Sequence, residues 1–308
     1  MAGTLSEPVP ISLSPVGPLL LIALAGFAAQ LVDGSLGMGY GLTSSTLLIA
    51  IGLAPALASA SEHLAEIGTS AVSGFSHGKL GNVDKKVLAR IAVPGGIGAF
   101  LGATVLSGLS TAAARPWASA LLFILGWYVL IRFFANRVVQ LKKGRPGHRL
   151  LIPLGLVGGF VDATGGGGWG PVTTPALLAT GRMAPSRVIG TMNAAEFIVA
   201  VSASIGFIVG LGLAAIRLDV LLPLLIGGVI AAPIAAWITH RLPIRIMGVA
   251  VGGMIIFTNS LTLTNAANFP TPAMVAVLVV ALVIWVSALT TVIVQHVQAK
   301  RSTHPVAQ

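Results

Sequence analysis

Long apolar runs alternate with short charged or turn-rich segments along nearly the whole chain. These runs predict spanning helices at roughly 57–78, 87–109, 116–135, 185–213, 219–240, 245–263 and 273–297. Each run is close to the roughly 20 residues that cross the hydrocarbon core of a bilayer. Short segments of alternating apolar and polar residues, which are typical of a membrane β-barrel, do not occur. Because lipid cannot satisfy backbone polar groups, the pattern predicts an all-α polytopic membrane protein.

Two regions interrupt this pattern with shorter apolar runs. In the second half, about 12 residues separate Arg149 from Asp162, and about 11 run from Pro171 to Gly181. Residues 17–32 and 42–53 are the slightly longer counterparts in the first half. At about 1.5 Å per residue, such segments do not cross roughly 30 Å of hydrocarbon. Each pair is therefore predicted to form a broken-helix re-entrant hairpin, and the alternative that these helices span fully stays open.

The two interrupted regions share an unusual sequence. Residues 31–41 (LVDGSLGMGYG) return as residues 160–170 (FVDATGGGGWG), a shift of 129 positions. Further along, at a shift of 130, four pairs of positions correspond: Pro55 with Pro185, Ser61 with Thr191, His63 with Asn193, and Glu66 with Glu196. Glycine supplies the backbone freedom that a helix break needs, and Pro171 suits the first position of a restarted helix. The chain is thus a duplicated unit with one backbone break per copy.

Basic residues orient the predicted helices. Placing the 137–149 loop in the cytoplasm puts sixteen of the 18 Lys and Arg residues inside, and only Arg115 and Arg217 outside. Each copy contains a hairpin and three crossings, an odd number, so the second copy is inverted relative to the first. The inverted relation also holds if both helices of each hairpin span the membrane, because two crossings return the chain to the same side. The N-terminus is predicted outside and the C-terminus in the cytoplasm, in the inner membrane of the cell.

These predictions divide the chain into five parts. They are a short tail (1–16), a first membrane repeat (17–135), a basic cytoplasmic linker (136–149), a second membrane repeat (150–263), and one extra helix with the C-terminal tail (264–308).

Composition agrees with the membrane prediction and excludes several other functions. The chain is 55% hydrophobic and 8% charged, with a mean hydropathy of +0.95. It lacks cysteine, which excludes disulfides and thiolate metal sites. The net charge of +10 comes from residues in short loops, so membrane orientation explains it better than nucleic-acid binding.

The helix breaks suggest an anion site. A restarted helix aims unpaired N–H groups and about half a positive charge at the membrane centre, which favours a small anion. Duplicated halves with helices broken near the midplane are typical of secondary transporters. The glycines expected to line this site are Gly37, Gly39, Gly41, Gly166, Gly168 and Gly170. Hydroxyl donors are expected from Thr43, Ser44, Ser45, Thr173 and Thr174. The competing interpretation is simple packing of small residues between helices.

Acidic residues within apolar segments are the second functional signal. They are Asp33, Glu62, Glu66, Asp162 and Glu196. A charge at the centre of a membrane helix costs about 2.5–3.5 kcal/mol on insertion scales, so retaining several needs a reason. Asp33 and Asp162 lie beside the breaks, where gating and capping of the unwound backbone are both expected roles. Glu62 has Met192 at its equivalent position and is expected at an interface or pore rim.

The repeat-related pair Glu66 and Glu196 is predicted to couple or gate transport. His63 lies three residues before Glu66 on the same helical face, and Asn193 has the equivalent place in the second copy. Imidazole and buried carboxyl groups both titrate readily near neutral pH, so His63 and Glu66 could relay a proton.

Two further pairs of residues complete the candidate chemistry. Tyr40 and Trp169 occupy equivalent positions in the two motifs. They are expected to form a gate or a stacking wall, or to serve as packing residues. Asp84 and Asp219 lie in loops and are expected to cap helices.

The duplicated Asp-x-x-x-Gly-x-Gly-aromatic-Gly segments, each followed by a Pro-led helix with a Glu, resemble the TauE/SafE sulfite-exporter family. The resemblance extends over roughly residues 17–297. It implies transport of small sulfur-containing or carboxylate anions such as sulfite, sulfonates and sulfoacetate.

The function predicted is a secondary transporter that exports a small anion, coupled to protons, by alternating access. The expected partners are the anion, protons and the lipid bilayer, with a homodimer left open and no nucleic acid. No cofactor or metal is expected. Two alternatives stay open, a passive anion channel and a membrane-embedded enzyme that uses His63, Glu66 and Asp33 for acid–base or metal chemistry.

Overall fold

The structure is a computed structural model, which describes residues 16–36, 38–135, 144–239 and 244–303. This part of the chain is helical and contains no strand. Its helices are α1 (Val16–Leu36), α2 (Tyr40–Ala50), α3 (Pro55–Lys79), α4 (Lys85–Gly108), α5 (Thr111–Ala135), α6 (His148–Gly165), α7 (Trp169–Ala179), α8 (Pro185–Leu211), α9 (Leu218–Thr239), α10 (Ile244–Ala266) and α11 (Thr271–Thr303), with a 3₁₀ turn at Gly212–Ala215.

The seven predicted spanning helices appear as α3, α4, α5, α8, α9, α10 and α11. Within the described ranges, five stretches are long and apolar enough to cross a membrane, in α4, α5, α8, α10 and α11. The 25-residue α3 is long enough as well, but Glu62, His63 and Glu66 lower its hydropathy. Their side chains are buried against neighbouring helices. The chain is therefore a polytopic helical membrane protein, as predicted.

The first arms of the two hairpins are longer than predicted. α1 has 21 residues and α6 has 18, because each helix continues past its motif acid, to Leu36 and Gly165. The expectation that α6 stops near Asp162 was wrong, since an acid in an apolar run does not end a helix when its side chain is satisfied inside the protein. The break at Gly37 lies outside the described residues.

The second arms match the prediction more closely. α2 and α7 have 11 residues each, or roughly 16 Å, which is too short to cross a bilayer core. Their starts are two residues earlier than predicted. Since α7 begins at Trp169, Pro171 is its third residue and not its first.

Glycine allows two pairs of helices to pack with their backbones almost in contact. On α4, a side chain at Gly98 would overlap the carbonyl group of Leu156 on α6. On α1, a side chain at Gly26 would overlap the carbonyl group of Leu224 on α9. Because α1 and α6 are equivalent in the two sequence copies, as are α4 and α9, the same kind of contact is made twice. Each copy packs its first helix against the other copy.

Loop contacts group the ends of the helices into two sets. At one end, Arg115 donates from Nη2 to the carbonyl oxygen of Gly52 at 3.2 Å. At the other end, the Nε of Arg145 donates to Oδ2 of Asp84 at 2.6 Å, and Arg182 donates to the carbonyl oxygen of Arg145 at 3.2 Å. The first set consists of loops predicted outside, and the second of loops predicted in the cytoplasm.

Asp84 caps α4, as predicted, and also anchors the linker between the two copies. Its Oδ1 accepts from the backbone N–H groups of Lys86 and Val87 at 3.1 and 3.2 Å. Burial raises the pKa of this carboxyl, but the hydrogen bond from Arg145 and those from the backbone outweigh burial and hold the pKa below its ordinary value. Asp219 lies in the first turn of α9 and pairs with Arg217 at the surface.

The tight contact between α4 and α6 predicts a strong effect of one methyl group. In Gly98→Ala, the new Cβ would overlap the Leu156 carbonyl group, and overpacking of this kind costs about 1–3 kcal/mol. We expect a lower midpoint of thermal unfolding for the protein in detergent. Gly108→Ala in the same helix is the matched control, because its Cβ would meet no atom within 4 Å. Equal midpoints for the two variants would contradict the packing described.

Candidate functional site

The two helix breaks meet in the interior of the described structure. A Cβ on Gly41 would lie 2.8 Å from the Cα of Gly167, and a Cβ on Gly170 would lie 2.8 Å from the Cβ of Met38. These two contacts correspond under the shift of 129 positions, since 41 matches 170 and 38 matches 167. Gly167 has a φ of +135°, a conformation that residues with a side chain rarely adopt. Glycine at these positions therefore lets the two helix breaks, here called the tips of the hairpins, come into contact.

Each motif acid caps the second arm of its own hairpin. The Oδ1 atom of Asp162 accepts from the backbone N–H groups of Gly168 at 2.6 Å and Trp169 at 2.8 Å, at the start of α7. In the first copy, the carboxylate of Asp33 accepts from the backbone N–H of Tyr40, the residue equivalent to Trp169. The capping role that the sequence allowed is thus present in both copies.

This capping leaves the two tips with different numbers of open donors. In α7, the N–H of Trp169 is taken by Asp162 and Pro171 has no N–H, so Gly170 alone keeps a first-turn donor without an intrahelical acceptor. In α2, Asp33 takes the N–H of Tyr40, and helix geometry leaves both Gly41 and Leu42 without an intrahelical acceptor. The start of α2 is therefore the richer donor site.

The predicted hydroxyl donors fall into two groups. Ser44 and Thr173, which are equivalent, both donate to a carbonyl one turn back in their own helices, at 2.8 and 2.6 Å. Within the described residues, Thr43, Ser45 and Thr174 have buried hydroxyl groups without a hydrogen-bond partner. Only this second group is free to bind a ligand in the present conformation.

Three glutamates meet beside these tips. The side chains of Glu62 and Glu66 have carboxyl oxygens within 4.8 Å of each other and are almost completely buried, and Glu196 lies beside Glu66. Neither carboxyl oxygen of Glu62 has a hydrogen-bond partner among the described residues. The expectation that Glu62 lies at an interface or pore rim was wrong. It faces inward because it lies one turn before Glu66 on the same face of α3.

His63 connects this acidic cluster to the second hairpin. Its Nε2 lies 3.1 Å from Oδ2 of Asp162 on α6, and its Nδ1 lies 2.6 Å from Oε2 of Glu62. The same Nδ1 is 2.8 Å from the carbonyl oxygen of Ser59, whose hydroxyl donates to the carbonyl oxygen of Ala163 at 2.9 Å. The imidazole is fully buried and thereby links α3 to α6.

The second copy lacks this polar cluster. Asn193, equivalent to His63, donates to the carbonyl oxygen of Ile189 in its own helix at 3.0 Å. Met192 stands in place of Glu62, and its carbonyl oxygen accepts from Nε1 of Trp169 at 3.2 Å. Trp169 is buried against Gly95 and Gly158, so in this conformation it is a packing residue. The hydroxyl of Tyr40 is buried without a partner among the described residues.

A metal ion would need to displace hydrogen bonds at this cluster. Donor atoms of Glu62, His63 and Glu66 all lie within 4.8 Å of one another. The Nδ1 atom of His63, however, faces the Ser59 carbonyl oxygen, a contact that requires a hydrogen on that nitrogen. The arrangement favours proton chemistry over metal coordination.

The structure thus brings together most of the predicted site, namely the capped tips, the two repeat-related glutamates and His63. Ser59 and Glu62 are the residues that sequence reasoning missed. Glu62 could have been found from its spacing of four residues to Glu66, which puts both on one face of a helix.

Comparisons with known proteins agree with this architecture. The sequence model of the family described as "Sulfite exporter TauE/SafE" matches residues 22–262. The chain is 52% identical over 249 residues to the "Probable membrane transporter protein YtnM" of Bacillus subtilis (strain 168), which covers 80% of this chain and 83% of that protein. No solved structure matches the chain.

Proposed function

This chain belongs to the TauE/SafE sulfite-exporter family and is a multi-pass membrane transporter, and we propose that it exports a small anion, coupled to protons, by alternating access. The observation that carries the proposal is the meeting of two glycine-rich helix breaks beside five carboxyl groups and one imidazole. The family also favours a transporter over a membrane-embedded enzyme.

The proposed substrates are sulfite, a sulfonate, sulfoacetate or a small carboxylate. The start of α2 is the favoured binding position, because Gly41 and Leu42 keep open N–H groups there and Thr43 and Ser45 add unpartnered hydroxyl groups. At the start of α7, only Gly170 and Thr174 offer donors, because the carboxylate of Asp162 already accepts the hydrogen bonds of the neighbouring backbone N–H groups.

Proton coupling follows from the charges around this position. Among the described residues, the buried groups include no Lys or Arg, whereas Glu62, Glu66 and Asp162 are buried close together. Like charges in a medium of low dielectric repel strongly, so ionised glutamates would oppose an entering anion. Protons on Glu66 and Glu196 would remove that repulsion, which makes anion and proton binding cooperative.

The two copies, 17–135 and 150–263, are proposed to form an inverted repeat joined by the linker at 136–149. The reciprocal contacts of Gly26 with Leu224 and of Gly98 with Leu156 support this relation. Exchanging the conformations of the two copies would open the site to alternate sides. We place the chain in the inner membrane with its N-terminus outside. Tips that are buried on all sides fit an occluded carrier better than an open channel.

The inverted repeat makes a prediction about sidedness. The chain has no cysteine, so Ile51→Cys in the loop after α2 and Ala184→Cys in the loop after α7 each introduce a single reactive thiol at an exposed position. A membrane-impermeant maleimide should label position 51 from outside the cell and position 184 only after the cytoplasmic face is opened. The cysteine-free protein is the control. Labelling of both positions from the same side would reject the inverted topology.

Transport itself is testable in proteoliposomes. With sulfite, sulfoacetate and a small carboxylate as substrates, the protein should show uptake stimulated by substrate on the opposite side, as a carrier does and a channel does not. Glu66→Gln and Glu196→Gln keep size and hydrogen bonding but remove the titratable group. Each should lower proton-driven transport by roughly 5- to 150-fold, the usual range of coupling between sites. Normal gradient-driven transport in both variants would remove this pair from the coupling mechanism.

The binding position is testable at the start of α2. In Gly41→Ala, the new Cβ would lie 2.8 Å from Oε1 of Glu62 and from the Cα of Gly167, which would displace the donors around it. Losing one or two charge-assisted hydrogen bonds of about 1.5–3 kcal/mol each would weaken anion binding by about tenfold to about 20,000-fold. Gly78→Ala, where a Cβ meets no atom within 4 Å, is the matched control. Calorimetric titration of folded, monodisperse variants gives the affinities, and unchanged binding in Gly41→Ala would move the site elsewhere.

A further inference from the structure

Every atom that faces the ring nitrogens of His63 is a hydrogen-bond acceptor. Nε2 faces the carboxylate of Asp162 at 3.1 Å. Nδ1 faces the carbonyl oxygen of Ser59 at 2.8 Å and the carboxylate of Glu62 at 2.6 Å. The hydroxyl of Ser59, 3.3 Å away, has its hydrogen directed to Ala163 and so presents a lone pair. A neutral imidazole has one N–H, whereas this environment requires two, as in imidazolium.

The groups around the imidazole supply the opposite charge. Glu62 and Glu66 lie on α3 with His63, and Asp162 faces it from α6. Glu196 on α8 reaches the cluster through Glu66, and Asp33 and Tyr40 lie nearby on α1 and α2. The ring of Phe207, 6.0 Å away, closes the remaining side. In the described part of the chain, His63 is thus the one basic side chain buried among several acids.

Asp162 connects the imidazole to the start of α7. One carboxylate oxygen faces His63, while the other accepts from the backbone N–H groups of Gly168 and Trp169. The carboxylate of Asp162 therefore holds the start of α7 and also pairs with His63. Removing the charge of His63 would take away the ionic partner of this carboxylate.

We infer that Glu62 and His63 of the first copy and Asp162 of the second form a proton site that has no counterpart under the repeat, in which Glu62 and Asp162 are positioning residues. They keep His63 doubly protonated and thereby anchor the start of α7. The inference deepens the proposed function, and its link to transport rests on that function. The second copy has Met192 and Asn193 at the equivalent positions, neither of which takes up a proton.

A proton can leave this site through the neighbouring carboxyl groups. The Nδ1–H bond of His63 breaks as an O–H bond forms on Oε2 of Glu62, 2.6 Å away, which leaves a neutral imidazole and a neutral carboxyl. The carboxyl oxygens of Glu62 and Glu66 lie within 4.8 Å of each other, and Glu196 on α8 lies beside Glu66, so these carboxyl groups give the proton a path from α3 to α8. The lone pair left on Nδ1 then faces the Ser59 carbonyl oxygen, and this repulsion moves the ring away from Asp162 and releases the second tip.

The protonation state of His63 is measurable by NMR on the intact protein. In a variant that keeps His63 as the sole histidine, labelled with ¹⁵N, both ring nitrogens should show the shifts of imidazolium at about pH 7.5, where an exposed histidine is mostly neutral. Glu62→Gln should convert the signal to that of a neutral ring. Asp84→Asn is the matched control, because it also exchanges a carboxylate for an amide, outside this cluster, and should leave the signal unchanged.

Several outcomes would overturn the inference. One is a neutral imidazole in the otherwise unaltered protein, and another is a signal that Glu62→Gln leaves unchanged. A stoichiometric metal ion, measured by mass spectrometry of the purified protein, would also replace the proton site with a metal site.

A separate double variant tests whether this proton site is coupled to transport. Glu62→Met combined with His63→Asn gives the first copy the residues that the second copy already has, so a folded protein is expected. Transport driven by a pH gradient should fall at least tenfold, while substrate still stabilises the protein against heat. Unchanged gradient-driven transport would contradict the link. If the wild-type protein shows the imidazolium signal but no substrate exchange in proteoliposomes, the proposed function is refuted and the proton site is still supported.

Discussion

The architecture depends on how the carboxylates of Asp33 and Asp162 are satisfied. Asp33 and Asp162 lie in segments surrounded by apolar residues, where an unpaired charge is costly. Each is stabilised by backbone N–H groups at the start of the short helix that follows it, together with the positive end of that helix. The same interaction starts the short arm and ties it to the long arm that carries the acid. Both tips therefore require glycine, because the chain must turn back towards its own acid.

The shared scaffold carries different chemistry in its two copies. Both have a capping acid, a broken tip and a glutamate one further helix along, but only the first has Glu62 and His63. The second copy has Met192 and Asn193 at these positions, so no imidazole on α8 faces Asp33 in the way that His63 on α3 faces Asp162. A duplicated transporter needs two copies of similar shape to exchange conformations, whereas one proton site is enough to bias that exchange. Divergence at two positions of one helix face can create such an imbalance without altering the fold.

Close packing between helices limits which parts of the protein can rearrange. Lipid is as apolar as the helices, so association within the membrane depends on van der Waals contact and hydrogen bonds. Gly98 brings α4 onto the backbone of α6, and Gly26 brings α1 onto α9. Each long hairpin arm is thereby attached to a spanning helix of the other copy. A tip that is released from its acid would remain on this support, which favours small rearrangements at the tips over separation of the helices.

The sequence by itself determined the helical membrane class, the duplication, the seven long helices and the cap at Asp84, because apolar length, repetition and local turn chemistry are properties of neighbouring residues. It could not place Glu62 in the core, nor show that α6 continues past Asp162, because an acid in an apolar run has the same local appearance whether it faces lipid, ends a helix or is paired inside. Only the tertiary structure decided that Asp162, His63 and Glu62, which come from two helices of different copies, meet with the imidazole within ion-pair distance of both acids. The protonation of a buried side chain depends on which groups surround it, and those groups are distant in sequence.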